Sequence, residues 1–351
     1  MSFVWDKLLR PAAFRMDAEH AHELGIRALA AGLAAPFYAG DSDPVLECER
    51  FGLQLRSPLG VAAGFDKNGV VVGPLERMGF GFVEVGTVTA RPQPGNPKPR
   101  LFRLPDDRAL INRLGFNNDG AAIVAARLSD IDRNCVVGVN IGRNKNVSNE
   151  NAIQNYLEAF DAVSGVADYV AVNVSSPNTS GLRELQHGDS LDNLVGALQA
   201  RKRGAKPLLV KIAPDLDEAQ LDRIVEIALR HELAGIIATN TTTSRQGLRS
   251  DASKLGDGGL SGAPLAARSN EVIRRIFRSA EGKLRIIGVG GVFTAEDALE
   301  KITAGACLVQ AYTGFAYGGP GFPKEVNRGL ARLLVERGFS SVDEAVGTAA
   351  D

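Results

Sequence analysis

Eight short apolar runs, rich in β-branched residues and spaced through the body of the chain, constrain its fold more than any other feature. They are LGVAAG (59–64), GFVEVGTVT (81–89), NCVVGVNIG (134–142), DYVAVNVSS (168–176), PLLVKIAP (207–214), AGIIATNTT (234–242), RIIGVGGV (285–292) and ACLVQAYTG (306–314). Continuous apolar runs of this length read as strands buried on both faces, the pattern of a parallel sheet. Helix-period segments lie between them. NAIQNYLEAFDAVSGV follows the third run, DEAQLDRIVEIALRHE the fifth and RSNEVIRRIFRSAEG the sixth. TAEDALEKITAG follows the seventh and FPKEVNRGLARLLVERG the eighth. In TAEDALEKITAG, Thr294 is the expected N-cap with Asp297 completing the box, and Gly305 is the expected C-cap. Eight β-α repeats predict an α/β fold of the TIM (β/α)8 type, with an open doubly wound sheet as the structural alternative.

Polar residues gather at the C-terminal end of nearly every run: Asp66 and Lys67, Thr87, Asn140, Asn173 and Ser176, Lys211, Thr239 and Asn240. That end of a barrel carries the active site. Solvation of strand ends explains one or two such residues, but not asparagine or lysine at the last buried position of most strands.

Two stretches fall outside the repeat. Residues 91–118 are rich in proline and arginine and contain a hairpin pattern, RLFRL and RALIN around a PDD turn. An insertion of this length on the catalytic face reads as a lid or substrate loop. The first 40 residues form the other. Asp17 is the expected cap of a helix running to about Leu33, with Ala21, Leu24, Ala28 and Leu29 on one side and Glu19, Glu23 and Arg27 on the other. A shorter helix with Phe3, Val4, Trp5, Leu8 and Leu9 precedes it. The pair reads either as a hairpin that touches lipid or an apolar ligand, or as helices packed on the barrel bottom.

Composition narrows the function classes. A formal net charge of -1 provides no global field for nucleic acid or acidic lipid. Cys48, Cys135 and Cys307 form no CxxC pair, so neither a zinc site nor a disulfide framework is expected, and a reducing compartment fits. His20 and His22 sit at i, i+2 and do not share a helical face. No secretory signal is visible, because Asp6, Lys7, Arg10 and Pro11 break the apolar start. No run of 18 apolar residues is present to span a bilayer.

Several groups carry chemistry. GVGGV (288–292) and YTG (312–314) end the seventh and eighth runs, where barrels of this type commonly bind phosphate, and Gly262 offers another backbone N–H. Tight turns are the plainer reading. The small residues of AAGFDKNG (62–69) leave room for a flat ring, and Lys67 is either a cation for a carboxylate or a solvated lysine. Lys211 lies inside an apolar run, so it pairs either with a neighbouring-strand carboxylate or with an anion such as a reduced flavin. Asn112, Asn140, Asn173, Asn178 and Asn240 each both donate and accept, which suits a neutral heterocycle with alternating C=O and N–H groups.

These motifs together resemble the dihydroorotate dehydrogenases of pyrimidine biosynthesis. The resemblance rests on GVAAGFDKNG, GTVTARPQPGNPKPR, LINRLGFNN, VNVSSPNTSGLR, VKIAPDL, ATNTT, GGLSGAPL, IIGVGGV and LVQAYTGF, and covers essentially the whole chain. The N-terminal extension and Ser176, in place of the cytosolic classes' cysteine, point to the membrane-associated quinone class. The resemblance implies residues 1–40 as a quinone-access and membrane extension, and residues 41–351 as an FMN-binding barrel. It implies FMN contacts at Ala63, Gly64, Phe65, Asp66, Lys67, Thr87, Asn140, Asn173, Lys211, Thr239, Gly262, Gly291, Tyr312 and Thr313. It implies dihydroorotate contacts at Lys67, Asn112, Arg113, Leu114, Gly115, Phe116, Asn173, Asn178, Asn240 and Thr241, with Ser176 as the catalytic base.

On this reading Ser176 takes a proton and flavin takes a hydride as dihydroorotate becomes orotate, with Thr179 in a proton relay, and a membrane quinone reoxidises the flavin. The absence of a Rossmann fingerprint and of an iron–sulfur cysteine cluster agrees with that acceptor. The implied protein is a monomer that binds no metal and no nucleic acid, peripheral on the cytoplasmic side of the cell inner membrane. The alternatives are a cytosolic-type enzyme with a soluble acceptor, a flavin-free phosphate-binding barrel, and a non-catalytic flavoprotein docked on membranes.

Overall fold

The computed structural model describes residues 4–40, 42–201 and 206–350. Outside the barrel, β1 (Cys48–Arg50) and β2 (Leu53–Leu55) form an antiparallel hairpin. A separate three-stranded sheet is built from β5 (Leu101–Leu104), β6 (Ala109–Asn112) and β11 (Gly259–Gly262), with β6 in the centre. The eight apolar runs become the parallel strands β3 (Leu59–Val61), β4 (Phe82–Val88), β7 (Val136–Ile141), β8 (Tyr169–Asn173), β9 (Leu208–Ile212), β10 (Gly235–Ala238), β12 (Arg285–Val289) and β13 (Leu308–Ala311). They pair in chain order, and β13 returns to β3, so the sheet closes. The open-sheet alternative is excluded.

The barrel is a packed core rather than a pore. A Cβ on Gly60 would stand 2.5 Å from the Phe82 ring, and one on Gly138 would stand 2.0 Å from the Tyr169 ring. Glycine at these two strand positions therefore makes room for large rings. Phe51, in the β1–β2 turn, lies 6.4 Å from the Tyr169 ring.

Beyond the barrel wall run α3 (Val72–Arg77), α4 (Ala121–Ser129), α5 (Ala152–Val163), α6 (Gly188–Arg201), α7 (Glu218–Arg230), α8 (Ala266–Ser279), α9 (Ala295–Thr303) and α11 (Phe322–Glu336), with the short α10 (Thr313–Gly318) after β13. The five helices expected from periodicity are all present. Three more, α3, α4 and α6, carry weaker signals: α3 includes Gly73 and Pro74, α4 begins after Gly120 at φ 89°, and α6 contains Gly196. Thr294 and Asp297 form the expected capping box on α9. Its C-cap is Ala304, and Gly305 lies one residue beyond at φ +122°, with Phe277 packed where a Cβ would sit.

The N-terminal segment forms a π-helical turn (Trp5–Leu9), α1 (Arg10–Arg15) and α2 (Ala18–Ala30). Phe3 lies outside the described residues. Asp17 caps α2 by accepting the Glu19 and His20 N–H groups at 3.0 and 2.9 Å. The helix ends at Ala30 rather than about Leu33, in turns around Gly32 at φ 76°. The pair does not sit on the barrel bottom. It shares a cavity wall with Phe65 and Tyr312, which follow the C-terminal ends of β3 and β13. Glu19, expected on the exposed face of α2, is instead buried against Arg100.

Candidate active site

The C-terminal ends of the barrel strands and the inserted sheet enclose a polar cavity of about 1030 Å³, its open mouth included. Most of the residues singled out in the sequence converge there. Ala63, Gly64 and Lys67 come from the loop after β3, and Thr87 from β4. Asn173, Ser176 and Asn178 come from β8 and its loop, and Lys211 from β9. Thr239, Asn240 and Thr241 follow β10, Gly291 follows β12, and Tyr312 and Thr313 follow β13. Asn112, Leu114, Gly115 and Phe116 enter from the insertion, and Gly262 from β11.

Four expected contacts have side chains outside this lining. Phe65 packs on Phe315 with ring centroids 4.7 Å apart and faces a second cavity. The Asp66 carboxylate folds back to accept the N–H groups of Val71, Val70 and Asn68, at 2.8, 3.0 and 3.3 Å, so it shapes the turn instead. The Asn140 amide lies below the cavity, between Glu84 and Thr87. Arg113 turns outward, stacks on Phe102 and donates to the carbonyls of Leu255 and Asp257.

The sequence reading missed Ser261 and Gln310, which also line the cavity. Gln310 had a usable signal. A polar residue inside an apolar strand must point at a partner, the argument that singled out Lys211. Glu84 carries the same signal in GFVEVG.

The cavity demands a polar ligand. Thr239 Oγ1, Thr241 Oγ1 and Gln310 Oε1 are buried with no hydrogen-bond partner among the described residues, and all three residues line the space. Leaving such a group unmade costs about 1–3 kcal/mol. A bound heterocycle with matching donors and acceptors offsets that cost.

Two lysines give the site its charge. Burial pulls the Lys67 pKa down to about 8, with Glu19 opposing the shift and Arg100 adding to it. Lys211 is also lowered by burial, with Glu84 opposing, and its Nζ lies 3.9 Å from Glu84 Oε1. Glu84 is not on an adjacent strand, since β7 and β8 separate β4 from β9. The ion pair therefore crosses the barrel interior, and Lys211 both makes it and faces the cavity.

Ser176 is buried, and its Oγ accepts the Asn178 N–H at 3.2 Å. Thr179 Oγ1, three residues on, is buried without a partner among the described residues. The loop carrying both is tied down by Arg183, which donates to Ser175 O at 3.0 Å, to Thr241 O at 2.9 Å and to the Asp215 carboxylate at 2.7 Å.

A second, apolar cavity of about 1320 Å³, its open mouth included, opens between α1, α2 and the barrel. Its walls include Leu9, Phe14, Ala21, Phe65 and Phe315, with His22, Arg103, Tyr312 and Trp5 as the side chains that carry polar atoms. Burial holds the His22 pKa down at about 3, so the imidazole is neutral. Leu101, Leu110 and Tyr312 line both cavities, so the two spaces share a wall. Among the described residues no group of His, Cys, Asp and Glu could hold a metal ion.

Comparison with known proteins agrees with this geometry. Residues 45–334 match the family model described as dihydroorotate dehydrogenase. A dihydroorotate dehydrogenase (quinone) of Gloeobacter violaceus is 51% identical over 350 residues, covering 98% of each chain. Its counterpart in Mycobacterium tuberculosis is 49% identical over 351 residues, covering 97% of this chain and 98% of the relative. A crystal structure of DHODH from Eimeria tenella in complex with ferulenol superposes with a TM-score of 0.89 at 40% identity, covering 94% of this chain and 95% of that one.

Proposed function

The chain belongs to the dihydroorotate dehydrogenase family, and we propose that it oxidises dihydroorotate to orotate, with FMN as hydride acceptor and a quinone as the final oxidant. The observation that carries this reading is the single cavity shared by Ser176, Lys67, Lys211 and the partnerless polar atoms of Thr239, Thr241 and Gln310. That donor set suits a flavin and a small planar acid together. FMN, when bound, supplies the site that accepts the hydride from the substrate carbon.

The chain's own residues do the rest. Lys67 holds the substrate carboxylate through a charge-assisted hydrogen bond. Asn112, Asn178 and Asn240 read the ring edges, and an Asn178 Nδ2 to Asn112 Oδ1 bond of 3.0 Å fixes two of these amides against each other. Ser176 takes the proton from the carbon beside the ring carbonyl. A serine hydroxyl is a weak base, so position must compensate. The Asn178 N–H on its oxygen stabilises the charge that develops as the serine's own proton passes to Thr179, whose hydroxyl hands its proton on to water. Lys211 offsets negative charge gained by the ring.

The apolar cavity suits the quinone, with Arg103 as a donor to its carbonyl oxygens and the neutral His22 ring in its wall. The N-terminal extension rests on a membrane surface, on the cytoplasmic side of the inner membrane, in a monomeric enzyme. Six of the ten exposed large apolar side chains among the described residues support this: Val4, Leu8, Leu9, Met16, Leu24 and Leu33. Contact is peripheral, since no helix among the described residues is long and apolar enough to cross a membrane. The test is anaerobic mixing with dihydroorotate. Flavin absorbance should bleach, a quinone should restore it, and Ser176→Ala should slow bleaching by about 100-fold or more while FMN stays bound. Protein that carries no flavin, or a variant that bleaches at the parent rate, would refute the assignment.

A further inference from the structure

Glu84 is the most deeply buried carboxylate in the molecule's centre, at 0% exposure, and the mechanism above makes no direct use of it. It points into the barrel and gathers groups from four other strands. Asn140 Nδ2 donates to Oε1 at 2.8 Å, while Tyr169 OH and Gln310 Nε2 donate to Oε2 at 2.9 and 2.7 Å. Lys211 Nζ stands 3.9 Å from Oε1. A carboxylate is an acceptor at both oxygens, so every group facing it must present a donor.

That requirement passes along a chain of side chains toward the cavity. With its Nδ2 committed to Glu84, Asn140 must turn Oδ1 upward, where it accepts from Thr87 Oγ1 at 2.5 Å and from Asn173 Nδ2 at 3.2 Å. Thr87 Oγ1 has then spent its proton and accepts from Asn173 Nδ2 at 2.9 Å. Asn173 Oδ1 is left facing Ser175 Oγ and Asn240 Nδ2, at 3.1 and 3.3 Å. Gln310 is set the same way, with Nε2 on Glu84 and a partnerless Oε1 at the cavity.

We infer that Glu84 is a positioning residue that fixes the donor–acceptor direction of the whole cavity floor, from Asn140 through Thr87 and Asn173 to Asn240, and with it how the floor meets the flavin and the substrate. An amide has two orientations of similar shape, and only an acceptor-only group at the buried end of the row selects one of them. The inference rests on the flavin reading above.

The test uses the FMN-loaded protein and the variants Glu84→Gln and Tyr169→Phe. Glutamine keeps the shape but adds a donor, so the row loses its fixed direction. Phenylalanine removes one hydrogen bond to Glu84 but leaves the acceptor in place. Glu84→Gln should weaken both FMN and orotate binding by at least about tenfold and change the visible spectrum of bound flavin. Tyr169→Phe should stay within about twofold of the parent in both affinities and keep its spectrum. A Glu84→Gln protein that matches the parent in affinity and spectrum overturns the inference. So does equal damage from Tyr169→Phe, which would indicate simple loss of packing. If Glu84→Gln fails to fold, Asn140→Leu cuts the row at its first link while leaving Glu84 in place and should produce the same losses, and parent-like behaviour there overturns it equally. A parent protein without flavin absorbance would instead sink the flavin reading itself.

Discussion

Glu19 on α2 and Arg100 beside the inserted sheet form a bidentate ion pair, buried on both sides, with Arg100 Nη2 2.7 Å from Glu19 Oε1 and Nε 3.1 Å from both oxygens. Arg100 Nη1 also binds the carbonyls of Pro94 and Asn96, at 2.7 Å each. One side chain therefore joins the N-terminal helices to the insertion that lines the polar cavity. Glu19→Ala leaves the guanidinium buried without its counter-charge, a loss of about 3–5 kcal/mol for pairs of this kind. The expected outcome is a lower Tm and earlier proteolytic cleavage near residues 30–45, read by differential scanning fluorimetry and limited digestion. Burial raises the Glu19 pKa, but the hydrogen bond and charge of Arg100, with Lys98 and Lys67, outweigh it and leave the pKa below the ordinary value. A depressed carboxylate stabilises above its unfolded pKa and loses that contribution as pH falls through the folded one. Docking of the extension should therefore loosen only under acid conditions.

Lys67 sets a limit on the alkaline side. With its pKa near 8 in the free site, its charge is lost as pH rises through that value. A carboxylate partner needs the charged form, so orotate Kd should be flat below about pH 8 and rise toward tenfold per pH unit above it. Isothermal titration at pH 7, 8, 9 and 9.5 checks this, and a Kd constant across the series would contradict it.

His22→Ala removes a neutral imidazole ring from the wall of the apolar cavity. Its imidazole lies 5.1 Å from the Phe65 ring and 6.4 Å, stacked, from Tyr312. The quinone KM should rise by up to about tenfold as an aromatic contact in that wall is lost, while the rate of flavin reduction by dihydroorotate stays within about twofold. Stopped-flow measurement of the two half-reactions separates these effects.

Lys301 is a buried lysine whose hydrogen-bond partners among the described residues are neutral, Ser269 Oγ at 3.0 Å and Asn270 Oδ1 at 2.8 Å. Burial lowers its pKa to about 7. Between that value and about 10.4 the unfolded chain binds the extra proton, so stability rises with pH across the window. Lys301→Met removes the term. The variant should be more stable than the parent at pH 7, and the gap should narrow by pH 10, as thermal melts in a pH series would show.

The barrel was legible in the sequence because strands buried on both faces leave uninterrupted apolar runs, and its site because polar residues at strand ends stand out against them. What stayed hidden depends on contacts between distant positions. The pairing of β11 with β6 joins two segments that carry no local sign of each other. Glu19 reads as a solvated helix residue until Arg100, 81 residues away, is brought beside it. Arg113 and Asp66 lie within the right motifs, yet their side chains serve the loops rather than the cavity. Neighbouring backbone hydrogen bonds decide that, and position in a motif does not reveal it.

The wall formed by Leu101, Leu110 and Tyr312 also bears on the order of events. On the assignment proposed above, dihydroorotate and the quinone occupy different spaces and do not contend for one seat. Orotate can still be in place when the lipid-soluble oxidant arrives, and an inhibitor wedged among the N-terminal helices should be silent toward dihydroorotate saturation while competing fully with the quinone.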